Sequence, residues 1–430
     1  MHFAIFQLAL STLVLGPGDG DSSEAKAYSG RAADNEVATP ALDRAQIDID
    51  GRLDDAAWQQ AALLTSFTQF RPVEGVEASE RTEVRVLVDA EAIYFAIMAF
   101  DSDPSGIRAT LAERDSYTRS DDYVRLILDT FDDARRAYVF TVNPLGVQHD
   151  GIWNEGGGSA GRRHGNYGQP IDDNPDFLWD SDGAITEWGY QVEVRVPFKS
   201  LRFPEAEQQS WGLHVQRRIQ RSGFESSWAP ITANVSNKLT QAGKLNGLRN
   251  LDPGLFMELN PVLTGKRIGE FNAADGLFRR QDPSGDFGLN ATYGVTSNLT
   301  LDATYNPDFS QIEADAGQIA VNERFALFFP EKRLFFLEGT EIFGMAKQII
   351  YTRSVANPIA GAKLTGKLGS LNVGYLGAID QSFDAGAANT VVNLVRVRQD
   401  VGAASTIGAV YTDRTIGANN FNRVAGADAR

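Results

Sequence analysis

Cysteine is absent from the 430 residues, which excludes disulfides, thiol nucleophiles and thiolate metal sites and leaves the redox compartment open. Histidine is nearly as scarce. His2, His149, His164 and His214 show no metal-ligand spacing, and no Ser-His-Asp arrangement forms around any of them. Long apolar runs are also missing. The run Phe3–Leu15 falls short of the ~20 residues a helix needs to cross a bilayer, and no later segment comes closer. Positive charge is in deficit: 40 Lys+Arg stand against 56 Asp+Glu, a net charge of −16. Nucleic acid is therefore not an expected partner, because phosphate binding needs a basic face. The deficit is local. Residues 254–430 hold 16 basic and 18 acidic residues, a net of −2, and the remaining 24 and 38 give residues 1–253 a net of −14. An acidic part is joined to a near-neutral one, and the length itself suggests more than one domain.

What is present in the second part is alternation. Phe287, Leu289, Ala291 and Tyr293 share one face of a strand, with Gly288, Asn290 and Thr292 on the other. Leu299, Leu301, Ala303 and Tyr305 repeat the scheme against Thr300, Asp302 and Thr304, and Leu371, Val373, Tyr375 and Ile379 against Asn372, Gly374 and Asp380. Successive strand side chains point to opposite faces, so each segment has an apolar and a polar side. Membrane-spanning barrel strands need ~9–11 residues of this kind, although a soluble sandwich fits the same period. One long stretch separates the two. Asn306-Pro-Asp-Phe309 through Phe343 reads NPDFSQIEADAGQIAVNERFALFFPEKRLFFLEGTEIF. It resembles the signature of a large, uncharacterised outer-membrane barrel family, domain of unknown function 5916. The resemblance implies an antiparallel transmembrane β-barrel over 254–430, with outer-membrane lipid as partner. Val424–Arg430 stops inside an alternating segment with no terminal aromatic, so the barrel is expected to be incomplete.

Residues 43–250 read as a separate all-β domain. Strands are expected at Ala45–Asp50, Glu83–Asp89, Ala92–Asp101, Tyr123–Asp129, Ala137–Asn143, Tyr190–Pro197 and Trp211–Gln220, with a short helix at Asp54–Ala62 capped by Asp54 or Asp55. Short, spaced strands favour a sandwich. Asn250-Leu-Asp-Pro-Gly254 is a turn-rich linker to the second part. Ahead of the sandwich, Phe3–Leu15 and Ala25-Lys26-Ala27 suggest a signal peptide over 1–27, leaving 28–42 as a linker.

The opening Ile49-Asp-Gly-Arg-Leu-Asp-Asp-Ala-Ala-Trp58, followed by VRVLVDAEAIYFAIMAFD (84–101), DDYVRLILDTF (121–131) and GYQVEVRVPFKSLRF (189–203), is similar to family 9 carbohydrate-binding modules. The resemblance implies an immunoglobulin-like β-sandwich that holds sugar between aromatic rings, with structural calcium nearby and a polysaccharide or oligosaccharide as partner. A pyranose presents C–H groups that pack on an aromatic face, while planar polar side chains bond its hydroxyls. Of six tryptophans, Trp58 and Trp211 read as core, and Trp153, Trp179, Trp188 and Trp228 stand near loops. No motif maps the family's paired rings onto particular positions, so the glycan candidates come from location: Trp153, Trp179 and Trp228, with Arg162 and Arg163 as planar donors.

The acidic group Asp172, Asp173, Asp176, Asp180 and Asp182 supplies hard oxygens that suit calcium, with Asp172, Asp173 and Asp176 the leading candidates, although a solvated acidic loop fits the pattern as well. Gly156-Gly-Gly-Ser-Ala-Gly161 matches G-x-G-x-x-G, but Arg162-Arg-His-Gly-Asn follows where a helix would be needed, so no nucleotide site is implied. Glu313 and Asp315 beside Asp308 offer paired carboxylates for glycoside hydrolysis, yet they fall inside the barrel-family stretch. No catalytic centre is visible. The expectation is an exported protein of the outer membrane that binds or takes up glycan, its sandwich periplasmic or surface-exposed. An accessory module of a glycoside hydrolase and a structural or adhesive barrel are the alternatives.

Overall fold

The computed structural model describes residues 26–116, 120–155, 171–173, 175–254, 256–267, 269–272, 276–280, 282–307, 331, 333–337, 339–345, 350–355, 357–382, 388–402, 405–417 and 420–430. The first part contains β1 (Ala27–Ser29), β2 (Glu36–Ala38), β3 (Ala62–Thr65), β4 (Thr68–Arg71), β5 (Thr82–Val88), β6 (Ala92–Phe100), β7 (Tyr123–Asp129) and β8 (Arg136–Val142). It continues with β9 (Gln148–Asn154), β10 (Ile171–Asp172), β11 (Asp180–Thr186), β12 (Gly189–Pro197), β13 (Gln208–Ile219), β14 (Phe224–Ser227) and β15 (Gly243–Arg249). One sheet runs β1-β3-β5-β6-β12-β11, and the other runs β10-β9-β8-β7-β13-β14-β4 with β15 beside β13 and β2 beside β15.

The valine alternation decides the core. Val84 pairs Ile97 and Val86 pairs Phe95 across β5 and β6, while Val192 and Val194 of β12 meet the same two residues from the other side. All six are buried against Val124, Leu126, Leu128, Phe140, Leu213 and Val215 of the second sheet. Two inward apolar faces meeting in this way define a sandwich.

Several local expectations need correction. Residues 28–42 are not a linker: β1 and β2 add to the two sheets in parallel, and Tyr28 and Val37 are buried in the core. Ala45–Asp50 is not a strand, and the helix at Asp54–Ala62 is a 3-10 turn over Ala56–Gln60 without a side-chain cap. The Asp55 carboxylate instead accepts the Asp48 backbone N–H at 3.1 Å, so it closes the preceding loop rather than the helix end. The apolar pattern does not mark β9, β11 and β15, because β9 and β11 carry glycine and aspartate and β15 two glycines and an asparagine, residues depleted in strands. The expected leader lies outside the described residues except for Lys26 and Ala27.

The second part contains β16 (Met257–Lys266), β17 (Gly269–Asn272), β18 (Leu277–Arg280), β19 (Ser284–Thr296), β20 (Leu299–Tyr305) and β21 (Pro358–Leu368). It ends with β22 (Leu371–Asp380), β23 (Thr390–Val401), β24 (Ser405–Ile416) and β25 (Asn420–Ala429). Eight of these form one antiparallel sheet in the order β16-β19-β20-β21-β22-β23-β24-β25, and β17 and β18 make a separate hairpin. The sheet is open, with β16 and β25 at its edges.

Its two faces differ sharply. On one, Leu301, Tyr293, Tyr375, Ile379, Val391, Val395 and Tyr411 are exposed. The other carries Thr300, Asp302, Thr304, Lys363, Thr365 and Arg396, all buried. Part of the cover is the chain between β20 and β21: Phe335, Phe336, Ile342, Phe343 and Val355 pack on Leu376, Ala378, Leu394 and Val410. Gly361 and Gly374 leave room for these rings, since a Cβ on either would stand within 3.0 Å of the Phe335 or Phe343 ring. Lys363 lies 3.2 Å from Asp302 and donates to the Phe335 carbonyl at 2.7 Å. Arg333 fastens the segment by donating to the Val355 and Thr352 carbonyls at 2.6 and 2.9 Å while paired with Glu331 at 2.8 Å.

Candidate functional site

The expected sugar-binding tryptophans are placed by the sheets rather than by the loops. Trp153 lies on β9, where alternation turns its ring onto Ile127, Ala137, Val139, Ile171 and Leu239; it is 8% exposed and its Nε1 donates to Glu155 at 3.0 Å. Trp179, 2% exposed, meets Phe140 edge to face at 5.3 Å. Trp228 is fully buried, and its Nε1 donates to the Tyr28 carbonyl at 3.2 Å. Its fit is tight: a Cβ at Gly243 would stand 2.4 Å from the indole. A tryptophan gains most by burying its large ring, and all three do so, which leaves no face for a sugar. Trp58 and Trp211 are core, as expected. Arg162 and Arg163 lie outside the described residues, as do Gly156–Gly161, Asp308, Glu313 and Asp315.

The ring that remains accessible is Trp188, in the turn between β11 and β12, at 36% exposure. It folds back on Phe100 of β6 with centroids 4.9 Å apart. Gly189 makes this contact feasible. It sits opposite Phe100 with φ +146°, and a Cβ there would lie 2.1 Å from the Ala99 carbonyl. On the other side of Phe100, the Arg81 guanidinium stacks at 3.6 Å from the ring centroid and pairs with Glu83 at 3.3 Å. Arg81, Phe100 and Trp188 thus present planar groups in a row across the end of the first sheet. A tryptophan followed by glycine at a strand entry was the legible sign; the partners Phe100 and Arg81 needed the register.

The acidic residues do not gather as the sequence suggested. Asp172 is on β10, Asp173 lies 3.6 Å from His149, and Asp176 joins Asp115 and Asp150, the three offering oxygens within 4.8 Å of one another. That trio already holds a cation. Arg114 is 2.8 Å from Asp150, 2.5 Å from Asp176 and 3.6 Å from Asp115. Burial pushes the Asp150 carboxyl up to about 6 against the opposing pull of Arg114. Burial pulls His149 down, but the Asp115 and Asp173 carboxylates, each 3.6 Å from the ring, outweigh it and raise the imidazole to about 9. A calcium ion would have to displace the Arg114 guanidinium, so these donors as arranged do not fit it.

A shallow cleft of about 430 Å³ opens at the margin of the two sheets, lined by Ile47, Asp48, Ile49, Gln148, Trp179, Asp180 and Ser181. The Gln148 amide donates to the Trp179 carbonyl at 2.9 Å, and the Trp179 indole N–H has no partner among the described residues. Beside it, the stretch Ile49–Trp58 has a structural task. Glu193 of β12 is buried on the outward face of the first sheet, accepting the backbone N–H groups of Asp50 and Gly51 at 3.1 Å each and Trp58 Nε1 at 3.0 Å. Burial raises the Glu193 carboxyl to about 7 despite these three donors.

The second part matches a known family. A family model described as a domain of unknown function, DUF5916, covers residues 271–396. The stretch from Asn306 to Phe343 falls wholly inside that match. No curated protein matches the chain. Among solved structures, a family 9 carbohydrate-binding module from Caldicellulosiruptor kristjanssonii in complex with cellotriose is similar at 14% identity, covering 48% of this chain and 92% of that one, with a TM-score of 0.34. A putative carbohydrate-binding protein from Bacteroides uniformis is similar at 10% identity, covering 49% and 98%, with a TM-score of 0.38. Both likenesses are weak, and neither bears on what this chain binds.

Proposed function

We propose that this chain is an outer-membrane protein in which an acidic, sugar-binding β-sandwich is joined to strands of a transmembrane barrel. The observation that carries the reading is the reversed burial of the eight-stranded sheet. Its leucine, valine and tyrosine face is bare while its lysine, aspartate and arginine face is covered. A sheet in water hides the first and wets the second, because soluble proteins rarely leave contiguous apolar patches beyond a few hundred Å². A strand in lipid does the opposite, with polar groups toward the lumen. Tyr305 at the end of β20 and Phe421 at the start of β25, both on the bare face, supply aromatics of the kind that such strands place at membrane interfaces.

The sugar half is supported by the sequence pattern of the sandwich and by the Arg81–Phe100–Trp188 row. A pyranose ring stacks on Trp188, and the Arg81 fork donates to its hydroxyls. Stacking with a few hydrogen bonds, less the ordering cost, gives dissociation constants of roughly micromolar to millimolar order. The test uses the full chain in detergent. It is expected to co-fractionate with outer membranes, migrate in a heat-modifiable way on gels, and retain members of a glycan array. Trp188→Ala is expected to weaken that binding about tenfold, which corresponds to ~1.4 kcal/mol. A wild-type chain that retains no glycan, or a Trp188→Ala variant that binds unchanged, removes the sugar reading. Recovery in the soluble fraction removes the membrane one.

A further inference from the structure

The eight-stranded sheet has two unlike ends. At one, β19–β20, β21–β22 and β23–β24 are joined over 297–298, 369–370 and 402–404 alone. At the other, the connections run over 267–283, 306–357 and 381–389, with 417–419 as the one short link. The sandwich sits on the short-turn end. Ser297 donates to the Phe203 carbonyl at 3.0 Å, and Arg135 donates to the carbonyls of Gly402 and Ser405 at 2.8 and 3.0 Å. An alternating ion cluster closes the joint. Lys367, after β21's inward Thr365, pairs with Asp133 of the sandwich and with Asp400 at 2.9 Å, and Arg135 approaches Asp400 at 3.5 Å. All four side chains are largely withdrawn from solvent, where such pairs are screened less than on an open surface.

We infer that the sandwich is a periplasmic cap seated on the inner rim of the barrel, so that the glycan it meets is a periplasmic one. This rests on the transmembrane reading above. Outer-membrane barrels keep short turns on the periplasmic side and long loops outside. The tether gives an independent reason. Residues 250–256 between β15 and β16 span at most ~25 Å when fully extended, too little to carry the sandwich around the rim and across a bilayer ~30 Å thick to the far side. The orientation of the sandwich also follows. Asp252 donates its backbone N–H to the Ala90 carbonyl at 2.8 Å, which fixes the Ala92 end of β6 and the Pro197 end of β12 toward the tether. Phe100 and Trp188 stand at the opposite ends of those strands, pointing away from the barrel.

The cysteine-free sequence makes the test clean, because a single introduced thiol has no background. Glu187→Cys marks the exposed turn beside Trp188, and Asn389→Cys marks the exposed residue just ahead of β23 at the long-loop end. Each full chain is expressed in a Gram-negative host and treated with a membrane-impermeant maleimide before and after outer-membrane permeabilisation. Asn389→Cys is expected to label on intact cells, and Glu187→Cys only after permeabilisation. Labelling of Glu187→Cys on intact cells overturns the inference while leaving the barrel in place. Failure of the chain to fractionate with outer membranes removes the transmembrane reading and this inference with it. The joint is probed separately. Lys367→Glu is expected to speed proteinase K cleavage between the two parts several-fold in permeabilised cells, and adding Asp133→Lys to restore protection. Unchanged cleavage in Lys367→Glu would show that the ion cluster does not hold the cap and overturn the seating.

Discussion

The sandwich and the eight-stranded sheet are written with the same period and buried with opposite sense. In β12, Val192, Val194 and Val196 turn inward and Gln191 and Arg195 outward. In β23, Val391 and Val395 are exposed while Arg396 is buried. Period two states only that a strand has two unlike faces. Which one is hidden depends on what lies against it: a second apolar sheet in the first case, and an aromatic segment amid charges in the second. The comparison also extends to the two stretches that carry the family resemblances. Ile49–Trp58 and Glu331–Phe343 each act as a clamp, one closing over the buried Glu193 and the other held down by Arg333.

The sharpest way to break the comparison is one substitution made twice. Val194→Arg places an unpaired charge in the sandwich core and is expected to cost more than ~4 kcal/mol, enough to prevent folding of that part. Val395→Arg, midway along β23 on the bare face, is expected to cost ~2–4 kcal/mol in lipid and almost nothing if that face is wet. Urea titrations of the refolded chain, in vesicles and in detergent, compare them. A silent Val395→Arg in vesicles would remove the contrast between the two regions.

Next in size is the contribution of the first strands. Tyr28 and Val37 are buried, so a segment 43–250 lacking them is expected to lose roughly 3–6 kcal/mol relative to 26–254, from ~1.5–3 per buried side chain. Thermal melts of the two segments side by side decide this, and equal midpoints would return residues 28–42 to the status of a linker.

Smaller is the clamp on Glu193. In Glu193→Gln an amide NH2 group faces donors where a carboxylate oxygen accepted them, an expected loss of ~1–3 kcal/mol in denaturant midpoints. A gain in stability would mean that the buried charge, and not the latch, governs this site.

The gentlest effect is the pH dependence of the sandwich. Burial raises Glu193 and Asp129 to about 7 and Asp150 to about 6, and the neighbouring Asp115 and Asp173 carboxylates raise His149 to about 9. Groups raised on folding bind more protons in the folded state, so their stabilisation is full below the unfolded values and is lost as pH rises through the folded ones. His214, lowered to about 4 by burial, acts in the other direction below its ordinary range. With four groups against one, the melting temperature of the 26–254 segment is expected to climb between pH 9 and pH 5. A fall over that range would contradict the assignment.

Much of this fold is legible in the sequence. The pattern gives Tyr123–Asp129 to the residue, and β5, β6, β8 and β12 within about one, because these segments are rich in valine, isoleucine and aromatics and bounded by turn residues. It does not give Asp180–Thr186, since DSDGAIT carries no apolar stripe and exists as a strand only through its ladder to β12. The site is less legible still. Sequence names the tryptophans but not their depth, and Trp153, Trp179 and Trp228 proved to be anchors because other strands run across them.

The sequence by itself determined that this chain is all-β and two-part, that its net negative charge is concentrated in the first part, and that thiol chemistry is excluded. These are properties of composition and of period, which no packing can alter. Tertiary structure alone decided that Trp188 is the accessible ring, that Arg114 occupies the aspartate trio, and that Asp133 meets Lys367 from another sheet. Exposure and ion pairing depend on which distant segments arrive at a residue, and that is settled by the hydrogen-bonded register of whole sheets.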